Sequence, residues 1–337
     1  MNKKMIVVIS LLTILLLAAC GNKGADTEQL TNDSEKLAVY TTVYPLQYFT
    51  ERIGGEHVDV KSIYPPGADE HTFDPTQKDM IALADSDLFF YIGFGLEGFV
   101  ENAEKTLKNE HVKMIATAEG ISEGMLEEGH DEEGHDSEEE VHDEEGHDPE
   151  EESHDEEGHN HGQLDPHVWI SPKLSVELAA SIKNSLVEEA PEMASEFEKN
   201  FEQLQSDLVN LDGKFKEMAT NAPSKTFFVS HAAFGYIAEP YGLEQVAIAG
   251  LNSQSEPSQK QLATLVGLAK EQNVRYILFE QNVSSKPTEV IRKEIGAEAL
   301  TLHNLGVLTD DDVKHNEDYF SLMERNIETL RQALSGE

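Results

Sequence analysis

The chain has 337 residues, 65 Asp and Glu against 25 Lys and Arg, and a formal net charge of −40 at pH 7. A surface this acidic repels phosphate, which excludes nucleic acid as a partner. With one cysteine in the whole chain, an internal disulfide is excluded and a metal site has to be built from His, Asp and Glu.

Lys3 and Lys4 precede a charge-free apolar run, residues 5–19, that is too short to cross a bilayer comfortably and suits the apolar part of a signal peptide. The run ends in Leu17-Ala18-Ala19-Cys20. This resembles the lipobox of bacterial lipoproteins, which implies a signal peptide over 1–19, lipidation of Cys20 and residence on the extracytoplasmic face of the cell membrane. Residues 20–36 are polar and read as a tether. About 300 residues remain, enough for two lobes of ordinary size.

From residue 37 the pattern predicts a strand at 37–43, a helix at 48–53, a strand at 57–63 and a loop at 64–75 rich in turn formers. A helix at 76–84, a strand at 87–92, a helix at 96–107 and a strand at 112–116 follow. Strand and helix alternate, which argues for an α/β lobe on a mainly parallel sheet. Residues 171–189 and 191–218 are helical in pattern. In the second stretch Met193, Phe197, Phe201, Leu204, Leu208, Leu211 and Phe215 recur at helical spacing, and one helix of that length spans a molecule. Alternation then resumes: strand 226–230, a helix near Phe234, strand 245–249, helix 258–272, strand 275–279, helix 287–295, strand 299–303 and helix 318–334. The expected fold class is α/β: a lobe at 37–188 and a lobe at 223–337 joined by one long rigid connecting helix at 189–222.

Residues 127–162 interrupt the first lobe with 19 Asp and Glu, seven His and no Lys or Arg. His130 to His135, His142 to His147 and His154 to His159 bracket the same Asp-Glu-Glu-Gly core at intervals of 12, and His161 follows. With Val141 as its one aliphatic residue, the tract has nothing with which to form a core, so disorder is expected in the absence of metal. Imidazoles interleaved with carboxylates ligate borderline cations such as zinc, which makes it an auxiliary, weak metal-binding loop.

Outside the tract stand His57, His71, His111, His167, His231, His303 and His315. His57, His111 and His315 read as surface residues, and His303 as packed near a sheet end. His71, His167 and His231 lie in loops or at strand ends, where ligands of α/β proteins gather.

The segments Gly67-Ala-Asp-Glu-His-Thr-Phe-Asp-Pro75, Asp165-Pro-His-Val-Trp169 and Ser230-His-Ala-Ala-Phe-Gly-Tyr236, with the His-rich tract placed directly before the second, resemble the zinc and manganese substrate-binding lipoproteins of bacterial ABC importers. Within that family the chain is most similar to the high-affinity zinc-uptake branch, from about residue 37 to the C-terminus. The resemblance implies a metal cleft between the lobes, with His71 and His167 as ligands from the first lobe and His231 from the second. Manganese-branch proteins typically place a carboxylate where His231 stands, so His here favours Zn2+, carried as cargo. For a fourth ligand the resemblance offers no direct match, because Gly306 occupies the place where several relatives have a carboxylate. Glu70, Glu280 and water are the alternatives, and Glu280 is also read as structural. Trp169 is expected to wall the cleft. The implied partners are a membrane permease with its cytoplasmic ATPase; the protein itself is expected to be a lipid-anchored monomer and not an enzyme. A manganese or iron carrier of the same family, or a metal-dependent surface adhesin, is the alternative. A zinc hydrolase needs a general base and an open coordination position, and the sequence has no His-Glu-x-x-His helix, nucleophile elbow or Gly-rich phosphate loop.

Overall fold

The computed structural model describes residues 36–126, 164–252, 257–281 and 285–336. The first lobe holds β1 (Leu37–Thr41), α1 (Tyr44–Gly54), β2 (Val58–Ser62), α2 (Gln77–Ala84), β3 (Leu88–Tyr91), α3 (Val100–Leu107) and β4 (Lys113–Ala116). Two helices follow, α4 (Pro172–Glu189) and α5 (Ala194–Asn221). The second lobe comprises β5 (Thr226–His231), β6 (Glu244–Ala249), α6 (Gln259–Glu271), β7 (Tyr276–Phe279), α7 (Lys286–Ile295), β8 (Glu298–Thr301), α8 (Asp310–His315) and α9 (Tyr319–Ala333).

Both sheets are fully parallel and have the same order, β2-β1-β3-β4 and β6-β5-β7-β8. In such an order the chain leaves the first strand towards one edge and returns on its other side. The crevice between β5 and β7, like that between β1 and β3, is therefore a topological switch point, open at the C-terminal ends of the strands. In the first lobe that crevice is closed by Glu97, which accepts the Ile92 N–H at 2.8 Å, the Gly93 N–H at 3.1 Å and the Thr42 hydroxyl at 2.8 Å. In the second it holds His231, the last residue of β5, and Glu280, the residue after β7.

Several boundaries differ from the sequence pattern for local reasons. Helix α1 begins at Tyr44 rather than 48, because Pro45 sits in the first turn, where its missing N–H costs nothing. Helix α3 begins at Val100 rather than 96: Gly93, Phe94 and Gly95 have φ of 97°, 53° and 77°, which breaks the backbone before the helix. The connecting helix is shorter than 189–222, because Ala190 leaves the helical region and Pro191 opens a separate short turn at Pro191–Met193. Near Phe234 the expected helix takes the form of two single-turn 3-10 helices, Gly235–Ile237 and Glu239–Tyr241.

Helix α5 is 28 residues long, about 42 Å at 1.5 Å per residue. Of the expected stripe, Phe197, Phe201, Leu204, Leu208, Leu211 and Phe215 form its buried face, joined by Met218, whereas Met193 lies in the short turn before the helix and is half-buried. They belong to one hydrophobic core that runs from β1 and β3 through α4 and α5 to β5 and α9, so the two lobes share an interior. A second, smaller core lies between the second sheet and α6 and α7. Among the described residues no helix is long and apolar enough to cross a membrane. The expected signal segment with Cys20, the tether up to residue 35 and the acidic tract with its seven histidines lie outside the described residues.

Candidate metal centre

His71, His167 and His231 come from three different places in the chain and meet at one point. His71 is carried by the loop between β2 and α2. Its backbone N–H donates to Asp69 Oδ1 at 2.9 Å, the Tyr64 hydroxyl holds the Glu70 carbonyl at 3.3 Å, and Phe73 packs edge-on against Tyr64. His167 precedes α4, and both its backbone N–H, at 2.9 Å, and its ring Nδ1, at 2.7 Å, are bonded to Asp165 Oδ1. His231 bonds through Nδ1 to Glu280 Oε1. With Nδ1–H donated to a carboxylate in both cases, the Nε2 lone pairs are left facing the cleft.

The spacing of those nitrogens is informative. His167 Nε2 lies 3.2 Å from His71 Nε2 and 3.4 Å from His231 Nε2. Nitrogens bound tetrahedrally to zinc at about 2.0–2.1 Å stand roughly 3.3–3.4 Å apart. The three rings meet edge-to-face, with centroids 5.2–5.7 Å apart. Among the described residues, this is the group of His, Cys, Asp or Glu whose donor atoms lie close enough together to hold a cation.

Electrostatics act differently on the groups at the cleft. Burial, reinforced by the neighbouring His167 and His231, pushes the His71 pKa down to about 3, so its ring is neutral. Burial also opposes charge on Glu280, but donors from His231, Ser230 and Asn304 outweigh it and hold the carboxyl below its usual range. Burial works against a proton on His231, and the Glu280 charge and hydrogen bond overcome it, raising the ring above its ordinary value. Glu70 is pushed up to about 7, by burial first and then by the charge of Glu280.

The two carboxylates named as alternatives for a fourth ligand are placed differently from the histidines. Glu280 stands behind His231 and accepts from its ring, from Ser230 Oγ at 2.8 Å and from Asn304 Nδ2 at 2.7 Å. Glu70 is buried beside the cleft, with Oε1 2.8 Å from Asn304 Nδ2. Neither joins the set of converging donors. Trp169 is fully buried, packs at a tilt against His167 with ring centroids 5.3 Å apart and donates through Nε1 to the Asn304 carbonyl at 2.7 Å, so it also ties the lobes together. His303 is buried and His111 and His315 are exposed, as their surroundings suggested, but His57 is half-buried and bonded to Glu196 at 3.2 Å. Sequence reasoning passed over Asp165, although a carboxylate two residues before a histidine is a recognisable Asx-turn signal, and it passed over Asn304, which no local pattern marks.

Two parallel-sheet lobes with a histidine-lined cleft at the switch point define a two-lobed metal-binding protein of the substrate-binding type. The family model described as ZnuA, zinc-uptake complex component A, periplasmic, matches residues 39–333. The chain belongs to this family. It is 38% identical over 320 residues to the high-affinity zinc uptake system protein ZnuA of Bacillus subtilis, covering 95% of this chain and 94% of that protein. To the zinc-binding protein AdcA of Streptococcus pyogenes serotype M6 it is 36% identical over 338 residues, and there it spans 61% of the relative's length. The crystal structure of the Zn(II)-bound ZnuA-like domain of Streptococcus pneumoniae AdcA superposes with a TM-score of 0.69 at 32% identity, covering 89% of this chain and 99% of that one.

Proposed function

We propose that this protein is the extracytoplasmic Zn2+-binding component of an ABC importer. It captures the ion between its lobes with His71, His167 and His231 and hands it to a membrane permease driven by a cytoplasmic ATPase. Zinc is cargo here, not a cofactor. The observation that carries this reading is the convergence of three Nε2 atoms at 3.2 and 3.4 Å, close to the edge length of a zinc tetrahedron. Three imidazole nitrogens suit zinc better than manganese, which favours oxygen. Family membership and the zinc-binding relatives support the same cargo. In this reading Cys20 is lipidated, a tether at 20–36 links a monomeric body to the membrane surface, and the His-rich tract at 127–162 gathers zinc weakly close to the cleft.

The test is calorimetry on protein lacking residues 127–162, so that weaker sites do not mask the tight one. His71→Ala, His167→Ala or His231→Ala should each weaken zinc binding by orders of magnitude, since each removes a strong coordinate bond. Tight binding that survives in the triple variant would end the hypothesis. Cys20→Ser should detach the protein from the membrane while leaving zinc affinity unchanged.

A further inference from the structure

Asn304 lies where carboxylates from the two lobes meet. Its side chain is buried, and every polar atom on it is engaged. Nδ2 donates to Glu70 Oε1 at 2.8 Å and to Glu280 Oε2 at 2.7 Å. Oδ1 accepts the Gly306 N–H at 2.9 Å and Gln281 Nε2 at 2.8 Å. A backbone N–H only donates, so the Gly306 contact fixes which end of the amide is oxygen and leaves the NH2 facing both carboxylates.

The second observation is steric. A Cβ at position 306 would lie 2.8 Å from the Glu70 carboxyl carbon. Glu70 therefore occupies its place only because residue 306 has no side chain, and there its carboxylate accepts from the Asn304 side chain and from its own backbone N–H. Three imidazoles leave one position of a tetrahedral cation to fill. Glu70, next in the chain to His71, is the carboxylate best placed to fill it, yet it lies outside the group of converging donors.

We propose that Asn304, with Gly306 making the room, holds the Glu70 carboxylate off the bound cation and so keeps the centre nitrogen-rich, selecting zinc over divalent cations that demand oxygen, such as manganese. The inference rests on the three-imidazole reading and refines it. Deprived of the Asn304 donor, a buried carboxylate loses its one side-chain donor, and the nearest compensation is the cation itself. A carboxylate that binds through both of its oxygens raises the coordination number above four as well as the oxygen content of the site, which moves preference towards manganese. Gly306→Ala reaches the same end by displacing Glu70 directly. The backbone at 306 is outside the left-handed region, and the atoms the methyl meets are the far end of a flexible side chain.

The experiment loads the full chain with one equivalent of Co2+, whose visible absorption is intense in four-coordinate sites and weak in higher coordination. Zinc and manganese affinities are measured by competition alongside. Asn304→Ala and Gly306→Ala should both lose most of the visible intensity and shift the zinc-to-manganese preference by about 10-fold or more towards manganese. In a Glu70→Ala background, neither substitution should produce a further change. If Asn304→Ala does not fold by circular dichroism, Gly306→Ala decides alone. The proposal falls if the foldable variants keep the parent spectrum and preference, or if the changes persist without Glu70. A parent chain that gives no four-coordinate cobalt spectrum would instead reject the three-imidazole centre, and this inference with it.

Discussion

Two of the three cleft histidines have their outer ring nitrogen committed to a buried carboxylate, Asp165 for His167 and Glu280 for His231. Such a partner selects the tautomer and stops the ring from turning, so the lone pair is aimed before the ion arrives. Glu280 takes three donors, and glutamine could not replace it quietly: its amide would turn a donor towards at least one of His231, Ser230 and Asn304. Glu280→Gln is therefore expected to weaken zinc binding about 10- to 100-fold with the fold intact, as read by calorimetry and circular dichroism. An unchanged affinity would mean that the ring is oriented by packing alone. The three histidines were legible in the sequence because each sits in a recognisable motif. Their partners were less so. Glu280 and Asn304 are 49 and 73 residues from His231, and only the β5-β7 pairing and the loop after β8 bring them together.

At the scale of elements, the segment from His303 to Asp312 joins the lobes and holds Asn304. Its backbone is clamped by Asn326, which accepts from the His303 N–H at 2.8 Å and donates to the His303 carbonyl at 2.7 Å. The Leu305 N–H donates to His303 Nδ1 at 2.9 Å, so Nε2 carries the proton that faces Asp312 Oδ2 at 3.1 Å. Leu305 has φ of 60°, a conformation that costs a branched residue of order 1–3 kcal/mol and persists only where the surroundings enforce it. The Gly306 carbonyl accepts the Tyr44 N–H at 2.9 Å and the Leu308 carbonyl the Gly67 N–H at 3.2 Å, both across to the first lobe. Helix α8 was not legible because six residues are too few to show a period. Its signal is the capping box of Thr309 and Asp312. Burial opposes charge on Asp312, yet His303 and Thr309 donate to it, with Arg325 at 3.6 Å, and the carboxyl is held well below its usual range. A depressed carboxylate contributes stability above its unfolded pKa of about 3.9, and that contribution is lost as the pH falls further. Asp312→Asn should thus cost about 1–3 kcal/mol at neutral pH, and thermal melts of variant and parent should converge below about pH 4. A difference that persists undiminished at low pH would show that the loss is one of packing rather than charge.

The whole molecule repeats one strand order twice around an interior that the lobes share. The alternation of elements made both sheets legible in the sequence. The shared interior was visible only as the apolar stripe of α5, because which helices pack on it depends on contacts between distant segments. A common core argues that the lobes unfold together in one transition, and that an ion bound between them stabilises both. Zinc should raise the melting temperature as a single step, by an amount equivalent to about 4 kcal/mol when free zinc is about 1,000 times the dissociation constant. Zinc taken up by histidines of the 127–162 tract in the unfolded chain would subtract from that gain. None of His71, His167 and His231 belongs to the tract, and His167 follows its last residue by five positions. Deleting residues 127–162 should therefore preserve the zinc-induced shift or enlarge it, whereas His231→Ala in the same deletion background should abolish it, both measured by calorimetric melts with and without zinc. If the deletion itself removed the shift, the tract would have to supply a ligand to the tight site.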